Sequence, residues 1–159
     1  MTRCYGRAPV GERVHGAVPL GHWEVTTLIG ALAQDGIRAS FTVNAATDAD
    51  IFQVFVEQVL APQLRPGDVV IWDNLPAHKN EQIGGVIGDA QATLLPLPPY
   101  SPDFNPIEQC WSKIKQFLRS QQARTEETLQ QAIAAAFATV TSRDAQGWFT
   151  HCGYKPQTR

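Results

Sequence analysis

The sequence predicts an α/β fold, a mixed sheet flanked by helices, from three features. Two runs rich in Val, Thr, Ile and Leu flank Asp35-Gly36, a β-hairpin pattern. Val69-Val-Ile-Trp72 is apolar throughout, which suits a strand covered on both faces. From Pro106 to about Gln121, residues Ile107, Cys110, Trp111, Ile114, Phe117 and Leu118 recur at helical spacing and form one apolar stripe.

Taken in order, residues 1–22 carry Gly6, Pro9, Gly11, Gly16, Pro19 and Gly21, so no long element fits there. Arg13–Val18 suits a short extended piece. The hairpin strands are expected at Trp23–Ala33 and Ile37–Val43, joined by a type I′ turn at Asp35-Gly36. Thr47 or Asp48 caps a helix in which Ile51, Phe52, Phe55, Val56, Val59 and Leu60 face one way until Pro62. Arg65-Pro-Gly-Asp68 turns the chain into the strand Val69–Trp72. Residues 80–91 read as a helix weakened by Gly84, Gly85 and Gly88, leading into a short strand at Ala92–Leu97. After the Pro106 helix, Glu126–Val140 is a final helix with Leu129, Ile133, Phe137 and Val140 turned inward. The aromatic tail Trp148–Tyr154 is expected to pack. Strands and helices alternating in this order give an α/β arrangement with mixed strands.

A chain of 159 residues forms one domain with a single core. With 43% hydrophobic and 18% charged residues the chain reads as a soluble globular protein. No apolar run approaches the ~18 residues of a membrane helix, and no signal-peptide pattern opens the chain, so an intracellular, cytoplasmic setting is expected. Cys4, Cys110 and Cys152 are widely spaced, which fits a reducing compartment and argues against structural zinc. Thirteen Lys and Arg against fifteen Asp and Glu leave a formal charge of -2. Proteins that grip many phosphates are usually basic, so this balance argues mildly against a self-sufficient nucleic-acid binder.

Two carboxylates stand out, with thirty-four residues between them. Asp73 follows a buried-type strand, where open α/β sheets present ligand groups. Glu108 enters in the first turn of a helix. Two-metal phosphodiester cleavage needs carboxylates that hold hard cations about 3.5–4 Å apart. Structural readings stand beside this one. Asp73-Asn74 also suits a plain Asx-turn. Asn105-Pro-Ile-Glu108 is a helix start with Asn as N-cap and Glu reaching back to it, and one Glu is able to serve both ends. Asp35 fits the hairpin turn, Asp48 and Asp50 the helix start, and Asp103 a Ser-Pro-Asp turn.

Asp73-Asn-Leu-Pro-Ala-His-Lys79 and Leu97-Pro-Pro-Tyr-Ser-Pro-Asp-Phe-Asn-Pro-Ile-Glu108 resemble the second- and third-carboxylate segments of mariner-type DDE transposases, as does the spacing between them. Tyr5-Gly-Arg-Ala-Pro9 and Gly21-His-Trp23 extend the resemblance over nearly the whole chain. It implies a ribonuclease-H-like fold and metal-dependent DNA cleavage and strand transfer, with Mg²⁺ or Mn²⁺ held by three carboxylates. Asp73 and Glu108 then correspond to the second and third ligands, with Asn74 and His78 as accessory groups. A loop His that bonds only locally is an equal reading of His78. Lys79, Lys113, Lys115 and Arg119 are candidate phosphate contacts, and a solvated face is the plainer alternative for each. Expected partners are DNA, both element ends and target.

Members of that family also carry a helix-turn-helix region, and nothing here resembles it. Their first Asp lies on a strand in the middle of the sheet, between those expected at Trp23–Ala33 and Val69–Trp72. Residues 1–12 hold neither an apolar run nor an Asp. The expectation is a partial catalytic domain over residues 1–159, without its first, central strand. The missing Asp would arrive by frameshifting or in trans, from an upstream transposase segment or a second copy. The other reading is a catalytically inactive remnant with weak nucleic-acid or partner binding. A repair or RNA-cleaving nuclease on the same fold fits less well, because the proline-rich entry into Glu108 resembles transposases.

Overall fold

The computed structural model describes residues 5–16, 25–73 and 81–155. Thr27–Ala33 (β1) pairs antiparallel with Gly36–Val43 (β2), Thr27 lying opposite Val43 and Ala33 opposite Gly36. The expected hairpin is present, and its turn is of another kind. Gln34 and Asp35 occupy the turn, while Gly36 takes the positive φ of +127°. A type I′ turn would need positive φ at both central residues. Here glycine alone adopts it, where a missing Cβ makes it cheap, and Asp35 pairs with Arg38 at 3.3 Å.

Asp48 accepts a hydrogen bond from the Ile51 N–H at 2.8 Å and caps Ala49–Phe55 (α1). The helix continues as a π turn over Val56–Leu60 and a 3₁₀ turn over Ala61–Gln63. Pro62 has no N–H with which to prolong the regular ladder. Val69–Trp72 (β3) then pairs in parallel with Thr93–Pro96 (β4), in register from Val69 opposite Thr93 to Trp72 opposite Pro96. Between them runs Glu81–Asp89 (α2), whose Ile83 and Ile87 are fully buried.

Two expectations about the sheet change. Among the described residues the strands form two separate two-stranded sheets, the antiparallel hairpin and the parallel pair. Nor is β3 covered on both faces: Val69 is 55% exposed, and burial is complete only at Trp72. An apolar run reports what a strand prefers, whereas coverage depends on neighbours that composition does not reveal.

Alternation along the hairpin, reset in β2 by a bulge at Arg38 between the Ala31–Ala39 and Leu32–Ile37 pairs, explains where the core sits, because successive side chains leave a strand on opposite faces. Ile29, Ala31, Ala39 and Phe41 pack with Phe52, Phe55 and Val56 of the α1 segment, Trp72 and α2. Leu28, Leu32 and Ile37 pack on the other side against Cys110, Ile114 and Leu118 of Pro106–Gln121 (α3) and Ala132, Ile133 and Ala136 of Glu126–Ala138 (α4). The hairpin is thus the shared wall of two hydrophobic clusters.

The C-terminal region holds a helix the residue pattern did not lead us to expect. In place of one helix to Val140, α4 ends at Ala138 and Ser142–His151 (α5) follows. Thr141 and Asp144 cap α5 reciprocally, the Thr141 hydroxyl accepting from the Asp144 N–H at 3.1 Å. Thr-x-x-Asp is a capping-box pattern, and it was the available signal. Trp148 packs against the second cluster, as expected of the tail.

Candidate functional site

The parallel pairing of β3 and β4 sets the site's geometry. Strands that run the same way end on the same edge, and the Leu97 N–H donates to the Trp72 carbonyl at 2.8 Å right at that edge. Asp73, half-buried, is the next residue. Its position is fixed from behind by Trp72, whose indole packs edge-on against Phe52 at 5.6 Å. The chain leaving β4 at this edge continues through the proline-rich loop into α3. Asp73 and the route to Glu108 therefore start side by side.

Within the loop, Ser101 donates to the Pro99 carbonyl at 3.2 Å, and Pro102–Phe104 makes a 3₁₀ turn. Tyr100 adopts positive φ, +56°, and is exposed. Asn105 is buried and precedes α3 with extended backbone, but its side chain makes no capping bond. The helix is closed instead by backbone, the Glu108 N–H donating to the Asn105 carbonyl at 3.1 Å. The expected reciprocal capping box is thus not formed. Glu108 is exposed, and no hydrogen bond occupies its carboxylate among the described residues. The first turn of a helix favours a negative group there.

Positions 108, 112, 115 and 119 fall on one helical face. Glu108, Ser112, Lys115 and Arg119 are all exposed, so both basic residues share the solvent face of Glu108. Lys113 lies elsewhere. Its Nζ donates to the Thr139 carbonyl at 2.8 Å and to the Asp144 carboxylate at 2.7 Å, tying α3 to the junction of α4 and α5. Lys113, grouped by sequence with the phosphate contacts, serves a structural link here. Hydrogen bonds from Lys113 and then Thr141 hold the Asp144 carboxyl well below the usual carboxylate range. A depressed folded pKa stabilises the fold above the unfolded value near 3.9, and that contribution is lost as pH falls through the folded one.

Asn74, His78 and Lys79 lie outside the described residues, as do Gly21, His22 and Trp23. Asp103 is exposed in its turn, and Asp48 caps α1, as expected of both. No group of three His, Cys, Asp or Glu side chains is gathered for a metal among the described residues. Asp73 and Glu108 nonetheless offer hard carboxylate oxygens, the donor type that Mg²⁺ and Mn²⁺ take, and Mg²⁺ is commonly held by only one or two carboxylates.

Burial pushes the Cys110 thiol up to about 11, Lys113 opposing and Asp144 adding to the shift. Burial raises Cys152 as well, with a further push from Asp103. Both shifts disfavour the thiolate, which is the reactive form. Iodoacetamide is expected to leave both unmodified in the folded chain and to label them after denaturation. Rapid native labelling of Cys110, read by peptide mass spectrometry, would show that the second cluster is not closed.

A family model described as DDE superfamily endonuclease matches residues 1–130. Comparison with curated proteins gives no match. Among solved structures, the Mos1 transposase paired-end complex with left transposon end superposes with a TM-score of 0.74 at 17% identity, over 96% of this chain and 48% of that one. The Mos1 strand transfer complex gives 0.70 at 18% identity, over 96% and 46%. The catalytic domain of Mos1 mariner transposase gives 0.62 at 17%, over 80% and 67%. Such likeness establishes the fold as ribonuclease-H-like. The chain spans about half the length of the first two structures.

Proposed function

The chain belongs to the DDE superfamily endonuclease family, and from that premise we propose that it is part of a transposase catalytic core that cleaves and rejoins DNA. The observation that carries this reading is the shared edge of the β3–β4 pair, where Asp73 and the loop into Glu108 both begin. Asp73 and Glu108 would hold the divalent metal, which when bound activates the attacking oxygen and stabilises the leaving one. The buried Trp72 keeps Asp73 rigid, and α3 presents Glu108 with its carboxylate uncommitted to capping. Lys115 and Arg119 would meet phosphates, which fixes the position of DNA without reading its sequence. Lys79 is proposed for the same role on its position after Asp73, and Asn74 and His78 as accessory groups. Lys113 is better placed to hold α3 than to touch DNA.

DNA, with element ends and target, is the proposed partner. A third carboxylate would come from an upstream transposase segment or a second copy. Mixing the chain with a segment bearing an apolar strand and its Asp should produce nicking of element-end duplex that needs Mg²⁺ or Mn²⁺. Nicking that persists in EDTA would overturn the assignment. The second reading, a remnant that binds without cutting, rests on the described residues, among which no three carboxylates are gathered for a metal. No described helix is long and apolar enough to cross a membrane; an intracellular site of action accompanies the DNA reading.

DNA affinity of the chain itself should be weak, of the order of 1 µM or worse at physiological salt, and indifferent to sequence. With Lys79, Lys115 and Arg119 as the phosphate contacts, log K should fall against log salt with a slope of about -3. Lys115→Ala with Arg119→Ala should flatten it. Titrations against element-end and scrambled duplexes at several salt concentrations read this directly. Tight, end-specific binding would place recognition within these residues.

A further inference from the structure

The C-terminal cap of α5 reaches back fifty residues to the start of α3, and it does so on both sides of Glu108. α5 ends in a Schellman motif. The Tyr154 N–H donates to the Phe149 carbonyl at 2.9 Å and the Gly153 N–H to the Thr150 carbonyl at 3.0 Å. Gly153 supplies the required left-handed residue at φ +88°. The apolar contact that accompanies this motif is present too, Tyr154 packing edge-on against Phe149 at 5.9 Å. The reversal carries the Tyr154 hydroxyl to the Phe104 carbonyl, to which it donates at 2.8 Å. From the same cap, buried Cys152 lies with its Sγ 4.0 Å from the Gln109 amide nitrogen. Phe104 closes the 3₁₀ turn before α3, and Gln109 follows Glu108 directly.

We propose that Tyr154 is a positioning residue for Glu108. Its hydroxyl pins the Pro102–Phe104 turn, and with Cys152 it sets where the first turn of α3 stands relative to the β3–β4 edge. The physical argument is one of constraint. The turn is held within the loop by short-range bonds, Phe104 N–H to Ser101 at 3.2 Å and Asn105 N–H to Pro102 at 2.9 Å. Asn105 adds no side-chain cap. Such a turn pivots readily, and a long-range bond is what removes the pivot. Burial raises the Tyr154 pKa, so the hydroxyl stays protonated and able to donate. The Cys152 and Tyr154 end of the clasp lies beyond residues 1–130, the stretch that the family model matches. This inference rests on the reading of Glu108 as a metal ligand.

Tyr154→Phe removes the donor and keeps the ring on Phe149. Titrating Mn²⁺ into the full chain co-expressed with a segment carrying an apolar strand and Asp, we expect this variant to bind about ten-fold more weakly, the scale of losing a support behind a ligand. Its thermal midpoint should stay near that of the parent. Amides of Asn105 and Glu108 should exchange with solvent faster, while those of α4 are unchanged. Thr125→Ala, which weakens the α4 cap far from the clasp, should lower the midpoint and leave Mn²⁺ affinity alone. Glu108→Gln separates the two readings. If it abolishes Mn²⁺ binding while Tyr154→Phe binds as the parent does, the positioning role is overturned and the site stands. If Glu108→Gln binds Mn²⁺ as tightly as the parent, the site reading fails and this proposal fails with it.

Discussion

Asp73→Asn and Glu108→Gln are each expected to lower metal-dependent cleavage by about three orders of magnitude or more in a core assembled with an added segment that carries a strand and Asp, with the fold intact. A bound metal supplies several kcal/mol of transition-state stabilisation, and each 1.36 kcal/mol is ten-fold in rate. Both substitutions keep side-chain size while removing the charge. Neither should unfold the chain, because Glu108 is exposed and Asn keeps the size and hydrogen-bonding capacity of Asp at position 73. Single-turnover cleavage of an end duplex in Mg²⁺, beside thermal melts, separates chemistry from folding. Full activity in Asp73→Asn would assign the metal to other residues. A collapse of the melting transition would instead mean that Asp73 is a structural turn residue, the alternative that its Asx-turn chemistry left open.

Local chemistry was legible wherever a short segment decides its own fate. Asp48 caps α1 as its position before Ile51 suggested, and α3 runs from Pro106 to Gln121 with its expected apolar stripe inward. The parallel partner of β3 was also foreseeable, since a helical stretch separates two apolar runs. What sequence did not reveal depends on partners distant along the chain. Lys113 looks like any exposed lysine until α5 places Asp144 beside it. Asn105-Pro-Ile-Glu108 has the composition of a capping box, yet the structure leaves both side chains out of it. Residue identity states which bonds are available, and the fold chooses among them. Candidate carboxylates were nameable from sequence for the same reason. Asp73 and Glu108 belong to short motifs, whereas the Tyr154 clasp joins segments that no local pattern connects.

Co-expression with a segment carrying an apolar strand and Asp should convert this chain from an aggregating or partly unfolded species into a soluble one. Among the described residues, β1 bonds only to β2 and β3 only to β4. The family resemblance places a strand between β1 and β3. Residues 13–16, within the stretch considered for an extended piece, form no strand, and 17–18 lie outside the described residues. Each buried N–H or C=O left unpaired costs about 1–3 kcal/mol, and a domain holds only about 5–15 kcal/mol in all. β1 is half-buried along its whole length, so groups left unpaired on its open edge draw on that margin. Edges of this kind also recruit other chains, and Val69, 55% exposed in β3, makes that edge apolar as well. Strand addition supplies the backbone partners in one step. The expected result is a monodisperse complex with a sharp thermal transition, against a broad or absent transition for the chain alone. Val69→Lys should reduce association of the isolated chain without restoring the transition, because a charge blunts an edge but pairs no backbone. A soluble monomer that melts sharply without any added segment would refute the argument, since β1 and β3 would then be satisfied from within the chain.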